Sequence, residues 1–366
     1  MAGSTDRLSW VDTAKGLSII LVVMMHSAYG VGEETGESGI LHWIIGWATP
    51  FRMPEFFLIS GLFLSQVIAR DWRRYADRRI LHYVYFYALW AVLQIGFKVG
   101  LGSGDPLGAV QQMALAAIDP YGVLWFIYML AVFSLAAKVL WDLRVNNWLA
   151  LGVAALLQIA PIGPTGSYVV DQFAEYFVYF LAGYALAPMI FRLVAWAEQR
   201  LPLALAGLAL YAAVNTWLVF SGGFEMQPVH ARMGYAGLPV VHLALALAGS
   251  LALCVTAALL SRLAAMDWLR WLGAHSIVVY LSFSIPMALS RVILLKLGIL
   301  EDTSLLSIAV MLTAIIAPLL LYWGIQKTGW GRFLFERPDW AHLPGAPGGR
   351  DHVARKAVRP GISPAE

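Results

Sequence analysis

The chain has 366 residues, of which 60% are hydrophobic and only 13% charged, with a mean hydropathy of +0.70. Soluble domains carry about 45–50% apolar and about 25% charged residues, so the composition excludes an ordinary soluble domain, and a net charge of only +3 argues against a nucleic-acid partner. One cysteine, Cys254, excludes a disulfide framework or a cysteine metal site within the chain.

Length and apolar content predict an all-α, polytopic membrane protein with about ten transmembrane helices of about 20 residues each. The apolar runs place these helices at roughly 12–31, 41–68, 79–101, 121–142, 146–161, 170–191, 203–221, 238–262, 271–297 and 304–326. The first run carries no small-residue cleavage site and is read as a retained helix. Cations gather in alternate connections: Arg7, the run Arg70 to Arg79, Lys138 and Arg144, Arg192 and Arg200, Arg262 and Arg270, and the tail from Lys327. The intervening loops carry Glu33, Glu34, Glu37, Asp105, Asp119, Glu225, Glu301 and Asp302 with few cations. The positive-inside rule then puts both termini in the cytoplasm of a bacterial cytoplasmic membrane. Residues 105–118 are apolar enough for a re-entrant or interfacial segment. Residues 1–337 form one membrane domain on this reading. Residues 338–366, rich in Pro, Gly and charge, form a disordered cytoplasmic tail.

In chain order, the first polar residues to explain are Asp12, Lys15, Ser18 and His26. Lys15 and His26 are eleven positions apart, which returns a helix to within about 20° of its starting direction after a rise of about 16 Å. Both therefore share one face, as intramembrane ionisable groups on a path between two aqueous sides would. A histidine that only satisfies a neighbouring backbone group is the bland alternative, but burying ionisable groups in a membrane is expensive enough to favour function. Arg52 and Glu55, three positions apart, either pair with each other on one helix face or act on the histidine or a substrate hydroxyl. Ser60-Gly61 suits close helix packing. The stretch Arg70-Asp71-Trp72-Arg73-Arg74-Tyr75-Ala76-Asp77-Arg78-Arg79 is either ordinary cytoplasmic charge on anionic lipid or a phosphate clamp, which the arginine fork suits. Asp119 and Trp125 flank the fourth helix, where Trp125 serves an interfacial aromatic belt or stacks on a sugar. His275 opens the ninth helix, and His230 and Arg232 occupy an outer loop. No Walker loop, metal-ligand cluster or Gly-x-Ser-x-Gly elbow is present.

These pieces resemble the acyltransferase-3 family of membrane acyltransferases. Asp12-Thr-Ala-Lys15-Gly16-Leu-Ser-Ile-Ile-Leu-Val-Val-Met-Met-His26-Ser27 is similar to its first helix, where an Arg or Lys precedes a His by eleven positions. Met53-Pro54-Glu55-Phe56-Phe57-Leu58-Ile59-Ser60-Gly61 resembles its Met-Pro-x-Phe-Phe-x-x-Ser-Gly. Leu124-Trp125-Phe126, Tyr179-Phe180-Leu181-Ala182-Gly183-Tyr184 and Leu272-Gly273-Ala274-His275-Ser276-Ile277-Val278-Val279-Tyr280-Leu281 also fit. Two departures stand out. The Arg-x-x-Arg that the family often shows before its third helix has Ala76 three positions before Arg79. The histidine that often follows Tyr-Leu in the ninth helix is replaced by Ser282-Phe283-Ser284.

The resemblance implies transfer of an acyl group, most often acetyl, from cytoplasmic acyl-CoA (acetyl-CoA) to a hydroxyl of a glycan, glycolipid or glycoside, with membrane lipid around it and no metal. On that reading His26 is expected as the general base, with a covalent acyl-histidine relay as the alternative, Glu55 or Asp12 orienting it, Lys15, Asp12, Arg78 and Arg79 at the donor, and Arg52, Asp119 and Trp125 at the acceptor. A transporter or flippase for a lipid-linked or small polar substrate is the rival reading. It expects internal repeats and paired helix breaks, and neither is visible in the sequence. A non-catalytic scaffold leaves the aligned Lys15 and His26 unexplained.

Overall fold

A computed structural model describes residues 8–344. Arg7 and residues 345–366, which include most of the expected tail, lie outside the described residues. The fold is all-α: α1 Ser9–Thr35, α2 Ile40–Ala48, α3 Arg52–Leu62, α4 Trp72–Ala76, α5 His82–Ile95, α6 Pro106–Leu115, α7 Trp125–Asp142, α8 Asn147–Ile159, α9 Tyr168–Ala185, α10 Ala187–Gln199, α11 Leu201–Val219, α12 Pro239–Leu260, α13 Asp267–Ala274, α14 Ser276–Ser282, α15 Ser284–Leu297 and α16 Thr303–Thr328. A two-residue antiparallel pairing joins Glu225–Met226 to Ala231–Arg232. Helix fills most of each region expected to be helical, with breaks inside the second, sixth and ninth. Among the described residues, six helices are long and apolar enough to cross a membrane, or eight if each of two bent pairs counts as one span.

Proline explains where the expected long helices divide. The second expected span breaks between Ala48 and Arg52, with Pro54 in the first turn of α3. The sixth bends by 71° between α9 and α10, just before Pro188, and the ninth by 58° between α14 and α15, just before Pro286. Each proline lacks the N–H that would bond the carbonyl four residues back, and its ring crowds that carbonyl. The paired breaks that the sequence did not reveal are therefore present. The other long element, α1, runs unbroken for 27 residues, about 40 Å of rise, and ends where Gly36 turns left-handed (φ 72°) and bonds back to Gly32 O.

The described chain divides into two compact units, residues 8–64 with 146–322, and residues 65–145 with 323–344. In the first, buried Trp10, Val11 and Ala14 of α1 share a core with Leu58 and Leu62 of α3, Ile190 of α10 and Cys254 of α12. Two backbone crossings set its geometry. A Cβ on Gly16 of α1 would strike the Leu269 carbonyl of α13, and one on Gly273 of α13 would strike the Asp12 carbonyl. Likewise a Cβ on Gly61 of α3 would strike the Phe180 carbonyl of α9, and one on Gly183 would strike the Leu58 carbonyl. Lipid offers no hydrophobic drive for helices to associate, so such close backbone packing carries the association.

The second unit is pinned by polar bonds. Tyr75 donates to Ser134 O at 2.7 Å, Trp90 Nε1 to Leu334 O at 2.9 Å and Tyr85 to Phe333 O at 2.9 Å. Lys138, expected to flank the turn after the fourth helix, lies buried in the last turns of α7. Its Nζ donates to Ile68 O at 3.0 Å and to Asp142 Oδ1 at 2.9 Å, with the Trp141 ring 4.4 Å away. The i, i+4 spacing from Lys138 to Asp142 supplies the counter-charge that a buried ammonium requires. Residues 338–344 belong to this unit: His342 Nδ1 lies 3.1 Å from Asp77 Oδ2, and Leu343 N–H donates to Asp77 Oδ1 at 2.9 Å.

Candidate active site

The unbroken α1 carries Asp12, Lys15, Ser18 and His26 on one rod. At its start Lys15 and Asp12 form an ion pair at 3.7 Å, with the Lys15 side chain 37% exposed and Asp12 nearly buried. Glycine at positions 16 and 273 lets α13 lie against this same stretch. Asp12 thus serves Lys15. It lies fourteen residues from His26, about 21 Å of rise, and does not orient the imidazole.

About one and two-thirds turns beyond Asp12, the Ser18 hydroxyl meets Glu55 Oε2 of α3 in a short hydrogen bond and lies 2.7 Å from Ala14 O. A hydroxyl has one proton to share between these two acceptors. Glu55 and Ser18 are both fully buried, and Glu55 Oε1 has no hydrogen-bond partner. Cys254 of α12 stands within electrostatic reach of the same carboxyl. The expected Arg52–Glu55 pair is not formed. Glu55 turns to α1, whereas the Arg52 guanidinium has the Tyr29 and Tyr176 phenols within electrostatic reach. The three-residue step sweeps about 300°, enough here to send the two side chains to different neighbours.

His26 lies eight residues past Ser18, about 12 Å of rise, so Glu55 meets α1 well short of the imidazole. The His26 ring is half-buried and packs on Phe283, with ring centroids 5.4 Å apart. Phe283 belongs to the Ser282-Phe283-Ser284 stretch that replaces the family's usual histidine region, and it sits at the break between α14 and α15. Ser27 and Ser284, adjacent in sequence to His26 and Phe283, each have a buried hydroxyl without a hydrogen-bond partner. Such orphaned polar atoms are rare in folded proteins and mark places where water or a ligand completes the bonding.

Sequence reasoning missed several of these groups. Arg291 of α15 donates to Gly30 O at 2.8 Å and pairs with Glu34 at 3.5 Å, tying α15 to the far end of α1. An arginine inside an otherwise apolar helix was the available signal. Tyr29, Glu175 and Tyr176 carried no motif, whereas Tyr179 opens the motif-like Tyr179–Tyr184 stretch; Tyr29 comes from α1 and the other three from α9, both of which pack on α3. His275 caps the join of α13 and α14, its Nδ1 2.8 Å from Trp271 O.

The remaining candidates belong to the second unit. Arg78 is exposed and Arg79 half-buried, on the π-wound turn Asp77–Leu81 between α4 and α5. Arg79 Nη1 lies 3.5 Å from the Tyr83 hydroxyl. π turns within helices occur often at functional sites. Asp119 is exposed, just past α6, and Trp125 is half-buried at the start of α7. The turn between them is fixed by Tyr87, which donates to Ala116 O at 2.5 Å and accepts from Tyr121 N–H at 3.1 Å.

No solved structure matches this chain. The inner membrane protein YcfT of Escherichia coli (strain K12) is 26% identical over 241 residues, which is 57% of this chain and 64% of that protein. The chain thus spans less than two thirds of the length of this curated relative. An acyltransferase domain family matches residues 8–323, from the start of α1 into α16. With nearly all of its described helices inside that match, the chain belongs to the acyltransferase-3 family of membrane proteins.

Proposed function

We propose that this protein is an O-acyltransferase that moves an acyl group, most simply acetyl, from cytoplasmic acyl-CoA to a hydroxyl of a sugar, glycan or glycoside. The observation that carries the reading is the unbroken α1 with a half-exposed Lys15 near one end and a half-buried His26 further along it. Both termini face the cytoplasm of a bacterial cytoplasmic membrane on this reading, as the loop charges favour. Lys15 then stands on the donor side, with Asp12 holding its ammonium; within the second unit taken by itself, Arg78 and Arg79 are the cations suited to phosphate.

His26 acts as the general base. It removes the proton of the acceptor hydroxyl while that oxygen attacks the thioester carbonyl. The C–O ester bond forms, the C–S bond breaks, and the CoA thiolate leaves to take a proton. An imidazole titrates near working pH, and a base so placed contributes about 10²–10⁴-fold, roughly 3–5 kcal/mol of barrier. Glu55 positions α1 through Ser18. Arg52, Asp119 and Trp125 serve the acceptor. Acyl transfer in membranes tests the reading: His26→Ala should lose at least about 100-fold at equal expression, and wild-type transfer in that variant would overturn it.

One observation favours a second reading. The bent pairs α9/α10 and α14/α15 are the kind of discontinuous helix that transporters use at their binding sites. Release of free CoA by purified protein given acyl-CoA and a glycan acceptor separates the two, because a transporter or flippase releases none.

A further inference from the structure

The environment of Arg52 points to the class of acceptor. Two of its three guanidinium nitrogens, Nε and Nη1, are buried with no hydrogen-bond partner. Among the described residues no acidic side chain forms an ion pair with it. Its electrostatic neighbours are the phenols of Tyr29 and Tyr176. The carboxylate of Glu175 is within electrostatic reach of Tyr176. A guanidinium cannot escape burial by losing its proton, and a buried charge without a counter-charge is strongly unfavourable. Nε and Nη1 therefore have room for acceptors from outside the chain, and an anion would supply both the acceptor oxygens and the missing counter-charge. Tyr29 lies three residues beyond His26 on α1, about 4.5 Å of rise, so the gap opens within a turn of the proposed base. Tyr179, next along the same face of α9, adds a further buried hydroxyl without a partner.

We propose that Arg52 binds an anionic group of the acceptor, a carboxylate or phosphate, while His26 engages a hydroxyl of the same molecule. This rests on the reading that the acceptor binds beside His26, and it narrows that acceptor to an acidic sugar or a phosphorylated one. The arginine fork suits either group, since both present two coplanar oxygens.

Thermal unfolding of the full chain in detergent, without acyl donor, tests the site. The probes are glucose, glucuronate, glucose 6-phosphate and inorganic phosphate, at ionic strength matched with chloride. Glucuronate or glucose 6-phosphate should raise Tm and glucose should not, and the one that acts identifies the anion as carboxylate or phosphate. The shift should vanish in Arg52→Gln and persist in His26→Ala, so failure of His26 as base leaves this outcome intact. If Arg52→Gln does not fold, Arg52→Lys, which keeps the charge and loses the fork, should need at least about tenfold more ligand for half its effect. A response unchanged in Arg52→Gln or Arg52→Lys, equal stabilisation by glucose, or no stabilisation by either sugar acid would overturn the proposal. So would stabilisation by inorganic phosphate with both sugar anions inert, because the site would then hold no acceptor.

Discussion

Asp77 and Arg337, far apart in sequence, close on each other inside the second unit: Arg337 Nη2 lies 2.5 Å from Asp77 Oδ2 with both side chains buried. Arg337 Nη1 also donates to the Asp77 carbonyl at 2.6 Å. Asp77 opens the π-wound turn that presents Arg78 and Arg79, so the segment after α16 holds the turn bearing the proposed donor clamp.

Arg337→Ala should destabilise the protein by about 3–5 kcal/mol, because it leaves the Asp77 carboxylate buried without its counter-charge. Arg337→Lys should recover only part of this, since one ammonium cannot serve both the carboxylate and the carbonyl in the same geometry. Denaturant unfolding in detergent measures both, and an unchanged midpoint in Arg337→Ala would show that the contact contributes nothing.

Lys15→Ala should raise the KM for acyl-CoA several-fold while leaving the acceptor KM in place. Lys15 is 37% exposed but Asp12 is nearly buried, so the variant leaves a buried carboxylate without its cation, and KM is compared at equal folded yield. A change in acceptor KM alone would take Lys15 out of the donor site.

Ser18→Ala and Glu55→Gln should differ in stability. Removing Ser18 strips a buried carboxyl of its one side-chain hydrogen bond, a loss of about 1–3 kcal/mol. Glu55→Gln keeps a polar group that can bond the Ser18 hydroxyl and should lose less. Thermal unfolding of the two variants side by side decides this, with equal losses refuting the assigned role of the pair.

Gly61→Val and Gly183→Val should each disrupt the α3/α9 crossing, because a Cβ at either position meets a backbone carbonyl that cannot move independently of its helix. Loss of at least about 1–3 kcal/mol is expected from overpacking alone. The control Gly152→Val, on the open side of α8 where a Cβ meets nothing, should be far milder. Folded yield and unfolding midpoint report the difference.

The sequence by itself determined the class of the protein and most of its helical regions. An apolar run long enough to span a bilayer has few alternatives to a helix, because lipid leaves every backbone group to be satisfied within the segment. It also determined that Lys15 and His26 share a helix, since α1 holds no proline to interrupt the 3.6-residue repeat. Gly61 was legible as a packing position, and the structure pairs it with Gly183 in one crossing. The tertiary structure decided what hydropathy averages away. The prolines at 54, 188 and 286 sit in runs that remain apolar, so their breaks leave no mark on a hydropathy profile. It also decided partners. Glu55 and Arg52 are neighbours on one helix, yet α1 takes the carboxyl through Ser18 while α9 brings Tyr176 to the guanidinium. Arg337 looked like one more loop cation, and only folding brings it to Asp77. Charge pairing over such separations depends on which helices cross, and local sequence carries no record of that.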